Sequence, residues 1–290
     1  MATISVVVNT RNEEENLPKA IASVKSLADE IIVVDMESTD KTVEIAKKLG
    51  AKVFNHKPIG YVEPARNFAI SKATKDWVLV LDADEEVSED LAKQIKEKAD
   101  DSEIDYYRIP RKNIILGHYM KHANWWPDYN IRFFRKGYVS WNEVIHTVPM
   151  TQGVGGEIEA KEELALIHHN YKDIDDYLER MVRYSKIQSQ ELIKKNYKFV
   201  WSDLITKPVN EFLSRYFAGR GYKDGIHGLA LSLLQSFSEL IVYIRVWEKG
   251  GYTEKEIDKK EIQTIFAKNI NDINWWIRKE LSWLNFPKFW

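Results

Sequence analysis

Three short apolar runs constrain this chain more than anything else in it. Ile4-Ser5-Val6-Val7-Val8-Asn9, Glu30-Ile31-Ile32-Val33-Val34-Asp35 and Trp77-Val78-Leu79-Val80-Leu81-Asp82 are rich in β-branched residues, nearly continuous, and each closes on a polar residue. A strand with one wet face alternates apolar and polar side chains, so an unbroken apolar run is a strand buried on both faces, as in a parallel sheet covered by helices. Helical stretches lie between them: Glu14 to Ser26, Thr39 to Leu49 with Gly50 as the C-terminal stop, and Pro64 to Ala73. Strand, helix and strand repeated in this way predict a right-handed, mostly parallel, Rossmann-like α/β sheet that binds ligands at the carboxyl ends of its strands. Asn9, Asp35 and Asp82 are thereby expected on one rim.

From Tyr106 to about His169 the pattern is more irregular, with strands expected at Asp105 to Pro110, Asn130 to Phe134 and Glu163 to His168. From Asp173 onward it is helical, with Ile174, Tyr177, Met181, Tyr184 and Gln188 marking one face of a long helix. The expected division is an α/β domain at 1–171 and a helical region at 172–290 that serves acceptor, membrane or oligomer contacts. A chain of 290 residues with 44% hydrophobic content can bury a substantial core. Its net charge of -2 argues against nucleic acid as a partner. With no cysteine, any metal has to be held by oxygen and imidazole, a donor set suited to magnesium or manganese. Met1-Ala2-Thr3-Ile4 has no basic stretch or cleavage pattern, so the expected location is cytoplasmic. The segment Ile226 to Trp247 is interrupted by Gln235, Glu239 and Arg245, so no membrane-spanning helix is expected, which leaves open that the protein lies on a membrane.

Asp82-Ala83-Asp84 follows a buried strand, which puts two carboxylates at the ligand edge of the sheet where a divalent ion could be shared with a diphosphate. Acidic turns are common, and Glu85 and Glu86 before a helix beginning at Ser88 fit a plain helix start equally well. The surrounding sequence adds a resemblance. Val7-Val8-Asn9-Thr10-Arg11-Asn12-Glu13-Glu14, Ile32 to Thr42, Pro64-Ala65-Arg66-Asn67 and Leu81-Asp82-Ala83-Asp84-Glu85 stand in the order and spacing of the family 2 inverting glycosyltransferases of GT-A fold. Trp126-Pro127-Asp128-Tyr129-Asn130-Ile131-Arg132-Phe133-Phe134, Val144-Ile145-His146 and Gly219 to Gly225 are similar to the lipopolysaccharide-core β-1,4-glucosyltransferase subgroup. That subgroup often carries Glu after the His, where this chain has Thr147.

The resemblance implies a nucleotide sugar, UDP-linked, as donor and a glycan or glycolipid as acceptor. It implies that Thr10, Arg11, Glu13 and Asp35 cradle the nucleoside, that Arg66 faces the nucleotide, that Asp82 and Ala83 contact the donor, and that Asp84 binds the metal with His146. Asp128 is expected as the base that takes the acceptor hydroxyl's proton, with Glu143 next in line. Trp125 and Trp126 can offer flat faces to a sugar, or serve as core. His168-His169 reads as a structural pair, and Lys255 to Lys260 as a solvated helix face. The tail, with Ile270, Ile273, Trp276, Ile277, Leu281 and Leu284 at helical spacing, reads either as an interfacial helix or as packing against the domain or a second subunit. Two other functions remain open. A nucleotidyltransferase usually has a glycine-rich loop where this chain has Thr10-Arg11-Asn12-Glu13-Glu14-Glu15, and an inactive glycan-binding module has no need of Asp82, Asp84 and Asp128 together.

Overall fold

The computed structural model describes residues 2–58, 63–141, 149–254 and 256–280. It forms two compact units, one of Met1–Ile114 with Pro127–Asn170, the other of Ile115–Trp126 with Tyr171–Trp290. In chain order the strands are β1 (Ile4–Thr10), β2 (Glu30–Asp35), β3 (Lys52–Asn55), β4 (Trp77–Asp82), β5 (Glu85–Val87), β6 (Tyr106–Ile115), β7 (His118–Tyr119), β8 (Asp128–Arg135), β9 (Val139–Ser140), β10 (Met150–Thr151), β11 (Gly155–Glu157) and β12 (Leu166–Tyr171). The first unit's helices are α1 (Leu17–Val24), α2 (Thr42–Lys48), α3 (Glu63–Lys72) and α4 (Glu89–Ala99).

The first unit's main sheet runs β3-β2-β1-β4-β8-β6-β12-β5. β1 pairs in parallel with β2 and β4, and β2 with β3, while β8 joins β4 and β6 antiparallel. Every residue of β1 is buried, which is the physical content of its unbroken apolar run. Alternate side chains feed two cores. Val6, Val8, Val33, Leu79 and Leu81 pack with α1 and α4, and Val7, Ile32, Val34, Val78 and Val80 pack with Ala69 and Ala73 of the α3 side. At the amino ends of the strands, Glu30 accepts from Ser5 Oγ at 2.7 Å, Lys52 Nζ at 2.7 Å and the Thr74 N–H at 2.9 Å. Burial opposes its charge, but these donors prevail and hold the carboxyl at about 2.

One helix and one strand expectation need correction. The first helix starts at Leu17, not at Glu14, because Glu14 bridges to the next loop: its N–H donates to Asp40 at 3.1 Å and its carboxylate accepts from the Lys41 N–H at 2.9 Å. Ser88 does cap a helix, its Oγ accepting from the Leu91 N–H at 3.1 Å. Glu163, expected in a strand, lies in the 3-10 turn Glu162–Leu164.

The second unit holds α5 (Ile174–Lys194), α6 (Asp203–Phe212), α7 (Gly225–Lys249) and α8 (Lys259–Glu280), with a π-type turn at Leu213–Ala218. The buried face of α5 is Tyr177, Met181, Ser185 and Ser189, so the expected face is wrong at both ends, where Ile174 and Gln188 are exposed. Small residues there admit α7, whose Arg245 Nε donates to Ser185 Oγ at 3.1 Å. The segment 115–126 is tied into this unit by Asp224. That carboxylate accepts the His122 N–H at 2.8 Å and pairs with His122 Nδ1 at 2.8 Å, while the Ala123 N–H donates to the Gly219 carbonyl at 2.7 Å. In the tail, α8 begins at Lys259, so most of the Lys255 to Lys260 run precedes the helix, and Lys255 itself and 281–290 lie outside the described residues. Trp276 stacks on Phe217, whereas Ile270 of the expected apolar face is exposed.

Candidate functional site

Register brings the carboxyl ends of three parallel strands together. Thr10 pairs with Asp35 across β1 and β2, and Asn9 with Asp82 across β1 and β4. This edge contains an unusual concentration of unsatisfied polar atoms. Asn9 Oδ1 and Nδ2, Thr10 Oγ1 and Asp35 Oδ1 are buried without a hydrogen-bond partner, on residues only 5%, 1% and 4% exposed. Each such atom costs roughly 1–3 kcal/mol unless something meets it, and most buried polar groups are met. A cluster at the ligand edge of a parallel sheet therefore points to an absent partner with its own donors and acceptors. Asp35 Oδ2 is already engaged, accepting the Ser38 N–H at 3.1 Å.

Beside this edge runs a ladder of alternating charge. Arg66 Nη2 donates to both oxygens of Asp82, at 2.8 and 3.0 Å, and Arg132 Nη2 reaches Asp82 Oδ2 at 2.5 Å and Glu85 Oε1 at 2.7 Å. Arg111 continues it, with Nη1 3.4 Å from Glu85 Oε1 and Nε and Nη2 at 2.9 and 2.6 Å from Asp128 Oδ2. Burial pushes Asp82 up, but the Arg132 and Arg66 guanidiniums outweigh it and keep the carboxyl well below the usual carboxylate range. Asp128 is likewise lowered against burial, by Arg111 first and then by hydrogen bonds from Asn113 and Asn130.

The third feature is a pair of electron-pair donors. Asp84 Oδ2 stands 3.6 Å from His168 Nε2, too far for a hydrogen bond. Asn113 settles which ring nitrogen carries the proton. Its Nδ2 donates to Asp128 Oδ2 at 3.2 Å, and a carboxylate can only accept, so Asn113 Oδ1 is what faces His168 Nδ1 at 2.6 Å. Nδ1–H then donates to Asn113, and Nε2 is the ring nitrogen that faces the Asp84 carboxylate. Oxygen plus imidazole nitrogen, with the far ring nitrogen fixed by hydrogen bonding, fits a divalent cation. Among the described residues no three His, Asp or Glu form a metal-binding group.

The other expected site residues are distributed as follows. Arg11 is exposed on the turn after β1, and Glu13 accepts from Asn16 Nδ2 at 2.8 Å while its N–H donates to Thr42 Oγ1 at 2.8 Å. Ala83 is buried in the turn between β4 and β5. Asp128 is the first residue of β8, not part of the turn before it. Trp125 and Trp126 belong to the second unit, where Arg215 lies 5.3 Å above the Trp125 ring and Tyr119 meets Trp126 edge-on. His146 and Glu143 lie outside the described residues. Sequence reasoning missed Glu85, Arg111, Asn113 and Arg132 as site residues and set His168 aside as structural. A signal was present: Arg132 lies inside the apolar run Ile131 to Phe134, and a cation there requires a buried anion.

Comparison with known proteins bears on the family. The family model for glycosyl transferase family 2 matches residues 5–153. An uncharacterized glycosyltransferase of Rickettsia typhi is 32% identical over 250 residues, covering 83% of this chain and 85% of that protein. LpsC of Rhizobium meliloti, named a lipopolysaccharide core biosynthesis glycosyltransferase, is 23% identical over 253 residues, covering 85% of this chain and 92% of that one. Among solved structures, residues 1–349 of TarS from Staphylococcus aureus align over 89% of this chain and 94% of that chain, at 16% identity and a TM-score of 0.45.

Proposed function

This chain belongs to glycosyl transferase family 2, and from that premise we propose that it moves a hexose from a uridine diphosphate sugar, with inversion, onto a glycan or glycolipid at the cytoplasmic face of a membrane. Lipopolysaccharide core is the acceptor class favoured by the similarity to LpsC. The observation that carries the reading is the cluster of unpartnered buried atoms on Asn9, Thr10 and Asp35 beside Asp82. A pyrimidine nucleoside supplies the missing partners: an imino N–H for the Asp35 carboxylate, and carbonyl and hydroxyl groups for the amide and hydroxyl of Asn9 and Thr10. Arg11 and Glu13 flank the same edge, and Arg66 brings a fixed guanidinium to it.

Asp84 and His168 are the residues that hold a magnesium or manganese ion in this reading, with His146 as a further ligand. When bound, the ion supplies Lewis-acid stabilisation of negative charge on the departing diphosphate. The chain's own contribution is to orient and to remove a proton. Asp128 is ionised, anchored by Arg111 and Asn113 on Oδ2, and its Oδ1 takes the acceptor hydroxyl's proton as that oxygen bonds to the sugar's anomeric carbon. The bond from that carbon to the diphosphate breaks, and its electron pair leaves with the nucleotide.

The test is release of nucleoside diphosphate from a panel of nucleotide sugars with manganese, combined with calorimetric affinities for UDP, CDP and GDP. UDP should bind tightest, and Asp35→Asn should reduce the preference by removing the anionic acceptor. Equal affinity for the three nucleotides, or an unchanged preference in Asp35→Asn, would refute the assignment of the base pocket.

A further inference from the structure

The second unit leaves an apolar strip of α7 uncovered. The helix's inner face is fixed, with Leu231, Val242, Tyr243 and Val246 buried, Gln235 donating to Tyr177 Oη at 2.9 Å and Ser236 Oγ to the Pro208 carbonyl at 2.8 Å. On the outside, Ile226, Leu233 and Phe237 are 75%, 53% and 45% exposed. At 3.6 residues per turn these three fall within a sector of roughly 40°. Leu240 and Ile244 continue it, and neither Glu239 nor Arg245 lies in it. Gly221–Lys249 is also the one helical segment, among the described residues, that is long and apolar enough to cross a membrane.

Charge indicates what covers the strip. The whole chain is near neutral, but the second unit carries 21 Lys and Arg against 16 Asp and Glu, and the first 21 against 28. Arg220 and Lys223 are exposed just ahead of α7, at the positive end of its dipole, and the first turn of α7 contains no acid. A second copy meeting this face would bring a basic unit against a basic unit. An anionic lipid surface satisfies the apolar strip and the cationic end together. Spanning the bilayer is excluded by the inner face, whose bonds to Tyr177, Ser185 and Pro208 would have to break.

We propose that α7 lies flat on an anionic lipid surface, with Ile226, Leu233 and Phe237 inserted at headgroup depth and Arg220 and Lys223 on the phosphates. This deepens the membrane setting given above, and its test requires no sugar transfer, so the two readings fail separately. The experiment is cosedimentation of the full chain with phosphatidylcholine vesicles, with and without phosphatidylglycerol. The expected result is binding that depends on phosphatidylglycerol and weakens with salt. Leu233→Asp combined with Phe237→Asp should reduce partitioning on the order of tenfold or more, Phe237→Leu should largely keep it, and Lys223→Glu should lose the preference for anionic vesicles. Calorimetric UDP affinity and circular dichroism are the controls for folding. Unchanged partitioning in the double variant overturns the proposal. So does a wild-type dimer in analytical ultracentrifugation that the double variant converts to monomer without any vesicle binding, which would assign the strip to a second copy.

Discussion

Replacing Arg132 with Met tests whether the charge ladder is as tightly coupled as its distances imply. Arg132 is 3% exposed, and its Nη2 serves Asp82 at 2.5 Å and Glu85 at 2.7 Å. Removing one partner of a buried ion pair typically destabilises by about 3–5 kcal/mol, because the other charge is left uncompensated. Asp82 keeps Arg66, and its side chain is 23% exposed, so it contributes little to that figure. Glu85 is fully buried and keeps only Arg111 at 3.4 Å and the Asp82 N–H at 2.9 Å. Partial relief from those two places the expected loss near the low end, at about 3 kcal/mol. Glu85→Gln with Arg132→Met should cost less than the sum of the single changes by about 1–2 kcal/mol, as for residues in one network. Because the chain has two units, whole-protein unfolding is a poor gauge. The measurement is hydrogen exchange at the amides of β4 and β8, which reads the stability of the first unit directly. A loss below about 1 kcal/mol in Arg132→Met, or strict additivity in the double variant, would show that Glu85 is stabilised by something other than Arg132.

Four further outcomes are expected. Asp84→Ala should abolish the manganese dependence of UDP binding by calorimetry, whereas metal-free UDP binding should persist; intact metal dependence would remove Asp84 from the metal site. Asn9→Val should raise metal-free stability by up to about 1 kcal/mol, since it deletes two unpartnered buried atoms, and should weaken UDP; unaltered UDP affinity would mean that Asn9 faces no ligand. Glu30, held at about 2 in the folded chain against an ordinary 4.5, contributes stability that is complete above the ordinary value and lost as pH falls through about 2. Glu30→Gln should therefore be less stable at neutral pH, with a flatter fall between pH 4.5 and 2 in the opening free energy read by hydrogen exchange at the amides of β1 and β2. Arg111 lowers the Asp128 carboxyl, so Arg111→Met should shift the acid limb of kcat/KM to higher pH, whereas Arg111→Lys should shift it less; an unmoved limb would disconnect Asp128 from the rate.

The half of the site carried by parallel strands was legible because double burial leaves an unbroken apolar run, and the residue ending such a run has to lie at the sheet edge. Asn9, Asp35 and Asp82 were found in this way. His168 was not, because its partner Asp84 is far away in sequence and the two meet only through the antiparallel pairing of β12 with β5. A weak trace existed in the alternation of β12, where Leu166 and His168 are buried while His169 is exposed. Nothing in the sequence marks 115–126 as part of the second unit, since its partners, the Asp224 carboxylate and the apolar side chains Tyr177, Met181 and Leu231 that pack on Ile115, Met120 and Ala123, come roughly fifty to a hundred residues later. The shifted face of α5 has a similar cause: Ser185 and Ser189 read as solvent-facing until α7 is placed against them.

Asn113 joins the proposed metal donors to the proposed base. It is fully buried, one end on Asp128 and the other on His168, and its orientation follows from the carboxylate's inability to donate. The charge of Asp128 thus holds the Asn113 carbonyl toward His168 Nδ1, which orients the ring with Nε2 facing Asp84. The same carboxylate anchors Arg111, which extends through Glu85 and Arg132 to Asp82. When Asp128 accepts a proton from the acceptor, Arg111 loses an anion at one end but still has Glu85 at the other. A buried guanidinium with one partner would become an uncompensated charge at that moment, and one placed between two carboxylates does not. In the proposed mechanism Glu85 would lower the electrostatic penalty of that proton transfer, while its carboxylate accepts the Asp82 N–H at 2.9 Å.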